Sequence, residues 1–239
     1  MKTRLSLVAS LFAASSVAQA AIVVQWNFNS TIADGVTTTG LETPSTGTGT
    51  LFTIGGVTST FAAGAGSLDP VTSDDSGYQT TNYPAASVGN KTAGIQVNTS
   101  TLGLNDIIIT WDQRHSNTSA NTIRFQYTLD ASVATPLWVD GPQYTFAPAA
   151  TGTGDTWFNG RTADLSAVSA VNNNANFAFR VVTEFSPVTG GYLASRSTST
   201  YAGGTLRFDM VTVNAIPEPT AAFLGGFGML ALLRRRRLA

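Results

Sequence analysis

In Ile107-Ile108-Ile109-Thr110-Trp111-Asp112 the residues Ile107, Ile109 and Trp111 alternate with Ile108, Thr110 and Asp112. In Ile123-Arg124-Phe125-Gln126-Tyr127-Thr128-Leu129-Asp130 an apolar set, Ile123, Phe125, Tyr127 and Leu129, alternates with Arg124, Gln126, Thr128 and Asp130. A period of two places successive side chains on opposite faces, which is the signature of a half-buried strand. Arg114 to Asn121 is polar and of hairpin length, so the two strands are predicted to be neighbours. The same alternation returns in Val24, Trp26 and Phe28, in Phe177, Phe179 and Val181, and in Leu206, Phe208 and Met210. Strands are also expected at Leu51 to Ile54 and Gly94 to Val97, whereas the rest of Gly35 to Asn90 reads as long loops. The one helical candidate in the body is a turn or two near Ala163 to Val171. Several short strands with one apolar face each predict an all-β, antiparallel β-sandwich of jelly-roll type.

Composition agrees. The chain has 239 residues, 23 of them glycine, and only 11% are charged, unlike the Ala-, Leu-, Glu- and Lys-rich composition of helical proteins. Between residues 21 and 216 thirteen acidic residues face seven basic ones, a net charge of −6 that argues against nucleic acid as a partner, because phosphates require a basic footprint. The absence of cysteine excludes disulfides, thiol chemistry and Cys-ligated zinc, so the core alone must hold the domain.

Both ends carry signals. Lys2 and Arg4 precede an apolar stretch from Leu5 to Phe12, and Val17-Ala18-Gln19-Ala20 has the small-x-small pattern of secretory cleavage, which assigns residues 1–20 to a signal peptide read by the secretion translocon and signal peptidase. At the other end Ile216-Pro217-Glu218-Pro219 precedes thirteen apolar residues, Ala221 to Leu233, closed by Arg234, Arg235, Arg236 and Arg237. Cationic flanks stay on the cytoplasmic side, so the run reads as a membrane stop. Thirteen helical residues reach about 20 Å against a hydrocarbon core of about 30 Å, which suits a temporary anchor.

A signal peptide, a Pro-Glu-Pro turn, a short apolar helix and a terminal arginine cluster, in that order, resemble the PEP-CTERM family of exported bacterial proteins. The resemblance covers residues 216–239 and the signal peptide. It implies recognition of Pro217, Glu218 and Pro219 by an exosortase-type membrane enzyme, retention by Ala221 to Leu233, and topology control by Arg234 to Arg237. It also implies a jelly roll over residues 21–215 whose first strand lies beside a last strand of the Leu206-Arg207-Phe208-Asp209-Met210-Val211 type, and a place at the cell surface or in an exopolysaccharide matrix.

Within the body no residue is assigned to catalysis. His115 is the only histidine, and with Asp112 and Ser116 close in sequence it reads as an exposed loop residue rather than a triad base. Gly-x-Ser-x-Gly, His-Glu-x-x-His and P-loop motifs are absent. Glu42, Glu184, Asp112, Asp130 and Asp209 read as solvated carboxylates, and a glycoside-active enzyme would need two of them about 5 to 10 Å apart. Asp69, Asp74 and Asp75 share one turn with Ser73 and Gly77, a donor set suited to calcium, although the spacing is not that of an EF-hand. No other cofactor is expected. The threonine-rich runs at Thr37 to Thr39 and Thr46 to Thr50 lack the repeat a flat hydroxyl array requires. Trp138, Tyr144, Trp157 and Phe158 fall in the Gly- and Pro-rich stretch Pro136 to Gly160, read as loop, with Tyr78 and Tyr83 as secondary candidates. Exposed rings beside polar groups would stack on sugars, and rings capping the core would not. The reading is therefore a non-enzymatic exported surface protein, with a carbohydrate-binding module using the loop aromatics, and behind it a secreted glycoside-active enzyme, as the alternatives.

Overall fold

In a computed structural model, which describes residues 20–71, 73–146 and 155–217, each of the predicted strands is present. The described strands are β1 (Ala21–Trp26), β2 (Thr50–Ile54), β3 (Thr58–Ala63), β4 (Ser76–Thr81), β5 (Gly94–Asn98), β6 (Leu104–His115), β7 (Thr122–Thr128), β8 (Val139–Thr145), β9 (Thr156–Asp164), β10 (Ala178–Thr183) and β11 (Leu206–Pro217). One sheet has the order β3-β4-β11-β6-β9, with β1 also paired to β11, and the other has the order β2-β5-β10-β7-β8. All pairings are antiparallel. The result is a jelly-roll-like two-sheet sandwich, and its only described helix is a single 3₁₀ turn at Ser169–Val171.

Most inward residues are those the alternation selects; in the Ile123 strand it fails at the end, because Leu129 lies beyond β7 and is exposed and Tyr127 is only half-buried. Val24, Trp26, Phe28, Ile107, Ile109, Trp111, Ile123, Phe125, Phe177, Phe179, Val181, Leu206 and Phe208 are all buried. Trp111 from one sheet stacks on Phe125 from the other at 5.9 Å, and Phe125 stacks on Phe179 at 5.6 Å, so aromatic rings tie the layers together. The first and last strands lie side by side, paired from Ala21↔Ala215 to Trp26↔Val211 with a register shift between Ile22 and Val24.

Four expectations are corrected. β6 and β7 do not form a hairpin: they lie in opposite sheets, and Ser116 to Asn121 carries the chain across the sandwich. Alternation identifies the buried face of a strand but not its neighbour, and here nearly every connection changes sheet. Gly35 to Asn90 is not only loop, because β3 and β4 form a hairpin within it. Pro136 to Gly160 likewise holds β8 and the start of β9. In β11 the alternation breaks at Met210, whose φ of +47° marks a bulge; register with β6 shifts between Asp209 and Thr212, and Val211, Val213 and Ala215 take over the inward positions.

Residues 1–19 of the expected signal peptide, and Glu218, Pro219, the Ala221 to Leu233 run and Arg234 to Arg237, lie outside the described residues. Pro217 is the exposed last residue of β11, paired with Leu104. Among the described residues no helix is long and apolar enough to cross a membrane.

Candidate functional site

The outer face of the five-stranded sheet is built by register. Phe52 pairs with Gln96, Gln96 with Arg180, Arg180 with Gln126, and Gln126 with Asp140, a row of outward side chains crossing all five strands. Hydrogen bonds fix the Arg180, Gln126 and Asp140 part of the row. Arg180 Nε donates to Gln126 Oε1 at 2.7 Å, and Gln126 Nε2 donates to Asp140 Oδ1 at 2.6 Å. Lys91 Nζ then joins Asp140, at 2.5 Å, to Glu184, at 3.1 Å. Arg124 holds Glu184 through both Nε and a terminal nitrogen, each at 3.0 Å, and Gln143 donates to the same carboxylate at 2.6 Å. Such a network presents amides and guanidinium groups in set orientations, so a ligand lying across the strands would find them already ordered.

Trp138, immediately before β8, is half-buried and sits under the Arg180 guanidinium, 4.2 Å from ring centroid to Cζ. Burial lowers the Arg180 pKa to about 10, which leaves it charged at neutral pH. Where the sheet ends, Thr50 and Asn98 also line a groove of about 700 Å³ together with Thr43, Gly49, Ser100 and Asn176.

The four predicted rings do not share this surface. Tyr144 and Phe158 turn inward: Tyr144 meets Trp111 edge-on at 5.6 Å and donates to Thr162 O, and Phe158 packs edge-on against Phe146 at 4.6 Å. Trp157 lies on the outer face of the other sheet, against Gly66. Tyr78 and Tyr83 are buried, the first stacked on Phe28 at 5.1 Å, so neither is a surface ring. Sequence order alone could not separate Trp138 from the others, because the rings belong to strands of two different sheets.

No family model and no curated protein matches the chain. Among solved structures it is similar to the tandem CBM22-1–CBM22-2 domain of Paenibacillus barcinonensis Xyn10C, at 10% identity over 88% of this chain and 53% of that one, with a TM-score of 0.47. It is also similar to the CBM22-1–GH10 modules of Clostridium thermocellum Xyn10B complexed with xylohexaose, at 12% identity over 83% of this chain and 29% of that one, with a TM-score of 0.45. A third likeness is TmCBM27, a carbohydrate-binding module described for mannan recognition, at 11% identity over 83% and 99% of the two chains, with a TM-score of 0.43. The chain thus spans about half of the first of these and under a third of the second. At such values the site has to be read from this chain's own residues.

Those residues speak against acid–base chemistry on the five-stranded sheet. Asp140 and Glu184 share Lys91, which brings two carboxylates close together. Burial works to raise both pKa values, but the bonds from Lys91 and Gln126 to Asp140, and from Arg124, Gln143 and Lys91 to Glu184, outweigh it and hold both carboxyls below their usual range. A glycosidase acid must keep its proton, and neither can. His115 is not an exposed loop residue. It is fully buried at the end of β6 between Phe146, at 4.0 Å, and Phe158, at 5.7 Å. Its Asp112 neighbour turns to the opposite face and accepts from Leu68 N at 2.5 Å and Gly160 N at 2.7 Å. Ser116 Oγ accepts from Thr205 N at 2.8 Å, so the three do not converge.

The predicted acidic turn is only partly assembled as expected. Asp69 and Asp75 come together, but their third partner is Asp209 of β11 rather than Asp74, with one oxygen from each of the three lying within 4.8 Å of the others. Asp74 instead accepts from Ser30 N at 3.2 Å. Burial, with Asp69 adding to it, raises Asp75 to about 6, and burial raises Asp209 to about 8. Asp209 is fully buried beside Gly64 and Asp75, so it is not the solvated carboxylate that alternation suggested.

Proposed function

We propose that this chain is an exported, non-enzymatic protein that binds polysaccharide across the outer face of its five-stranded sheet, and that a C-terminal sorting sequence places it at the cell surface. The observation that carries the binding reading is the outward row from Phe52 to Asp140, hydrogen-bonded from Arg180 through Gln126 to Asp140, with Trp138 held on Arg180. Amides and guanidinium groups match sugar hydroxyls, and an indole matches the apolar face of a sugar ring. The ionised Asp140 and Glu184 orient donors and do no proton transfer.

An affinity series against soluble xylan, mannan and the host's own exopolysaccharide tests this reading. The unmodified chain is expected to bind at least one of them. Trp138→Ala weakens that binding about tenfold, equivalent to about 1.4 kcal/mol, while Trp157→Ala, on the other sheet, leaves it unchanged. Equal losses in the two variants, or no binding to any of the polysaccharides, would defeat the assignment.

The sorting reading is supported by the order of elements at the two ends. β11 runs straight into Pro217, the first residue of the Pro-Glu-Pro element. Neutral replacements of Arg234 to Arg237 are expected to impair retention and tail processing and to leave the sandwich folded. Intact mass and circular dichroism of the recovered protein check both halves of that statement. An unfolded body with a normally processed tail would contradict it.

A further inference from the structure

The carboxylate trio of Asp69, Asp75 and Asp209 beside Gly64 has more negative charge than its surroundings satisfy. Asp209 is fully buried and Asp75 is 7% exposed, yet Asp209 Oδ2 and Asp75 Oδ1 have no hydrogen-bond partner among the described residues. The two unpartnered oxygens point to one place. A Cβ on Gly64 would overlap Asp75 Oδ1 and stand 2.9 Å from Asp209 Oδ2, so only a glycine lets both approach. The nearby cation does not answer them: the Arg207 guanidinium donates to Ala63 O and, at 2.6 Å, to Gln79 Oε1. Asp69 is held in place by Asn29 Nδ2, which donates to its Oδ2 at 2.8 Å, and by Val71 N, which donates to its Oδ1 at 2.9 Å. An unpaired buried carboxylate is costly, and three converging ones are more so.

We propose that Asp69, Asp75 and Asp209 form a calcium site that staples the chain around Asp69 and Asp75 to the last strand. Calcium takes oxygen ligands at about 2.3–2.6 Å, so oxygens on opposite sides of one ion stand about 4.6–5.2 Å apart, a span that accommodates this trio. Magnesium, at about 2.0–2.1 Å, would have to draw the three carboxylates closer together and keep more of its water. The ion would neutralise the charge that Arg207 leaves unpaired, and it would tie a loop to a strand more than 130 residues later in the sequence. The site is on the opposite sheet from the sugar-contacting row, so it stands or falls independently of that reading.

The test uses the full-length chain, stripped with chelator and then titrated with calcium chloride alone or magnesium chloride alone. Calorimetry is expected to give one calcium per chain, and calcium at about a hundred times its dissociation constant should raise Tm by about 5–10 °C. Magnesium at the same concentration should do much less. Asp209→Asn, which keeps the side-chain shape, should abolish the calcium-dependent rise, whereas Asp74→Asn should retain it. Should Asp209→Asn fail to fold, Asp75→Asn serves the same purpose. An unmodified chain that neither binds calcium nor gains Tm overturns the proposal, as does an Asp209→Asn chain that responds to calcium as the unmodified one does.

Discussion

Trp111→Ala is expected to lower the unfolding free energy by about 3–5 kcal/mol, the range for emptying a large aromatic site in a core. Trp111 is only 1% exposed and touches both layers: it stacks on Phe125 across the sandwich and meets Tyr144 edge-on. It also carries a buried polar link, since its Nε1 donates to Gln113 Oε1 at 3.0 Å. Alanine therefore opens a cavity and leaves the fully buried Gln113 amide without that donor, two penalties of different origin. Domains of this size are stable by about 5–15 kcal/mol in total, so the variant should unfold at a much lower urea concentration. Trp111→Phe keeps most of the ring contact and should cost less. A midpoint for Trp111→Ala within error of the unmodified chain would mean that the sheets are not held together at this stack.

The two kinds of information in this chain were unequally legible. Inward positions could be read directly, because burial of a strand face leaves a period of two that depends on no other part of the molecule. Ile107, Ile109, Trp111, Ile123 and Phe125 are buried as that period requires. Pairing left no such trace. Nothing local distinguishes a Ser116 to Asn121 crossing between sheets from a hairpin, and β3, with the sequence Thr-Ser-Thr-Phe-Ala-Ala, has too little apolar contrast to stand out. The bulge at Met210 also hides its effect, since it changes which residues of β11 face inward without interrupting the apolar run.

The candidate sites divide in the same way. Trp138 and the Asp69 and Asp75 turn could be selected by residue type, but their partners come from distant strands. Arg180 reaches Trp138 only through the β10, β7 and β8 register, and Asp209 reaches Asp69 and Asp75 only because β11 pairs with β4, which follows directly on Asp75. His115 reads as a loop residue in the sequence because its neighbours Arg114 and Ser116 are polar, whereas its own side chain enters a pocket made by Phe146 and Phe158.

That burial has a consequence for stability in acid. His115 Nδ1 lies 3.0 Å from Ala120 O, an atom that only accepts, so the proton sits on Nδ1 and the unprotonated Nε2 faces the aromatic pocket with no partner among the described residues. Burial lowers the His115 pKa to about 3; the Ala120 bond works against this, and the Arg161 charge reinforces it. In the unfolded chain the ring titrates near 6.5. Below that pH the unfolded state binds a proton that the folded state refuses, so this group's contribution is fully present above pH 6.5 and is lost as the pH falls toward 3. The loss is about 1.4 kcal/mol per pH unit, or about 3 kcal/mol by pH 4. Asp75 and Asp209 act in the opposite sense, because their raised pKa values favour the folded state as the pH falls from 8 toward 4. The histidine contribution is therefore visible as a difference between two chains. His115→Phe keeps a ring in the pocket and loses the Ala120 bond, a cost of about 1 kcal/mol that does not vary with pH. Urea unfolding from pH 7 to pH 4 should show the unmodified chain losing about 3 kcal/mol relative to His115→Phe. Parallel curves over that range would show that His115 takes up its proton as easily in the folded protein as in the unfolded chain, and would place it in contact with water.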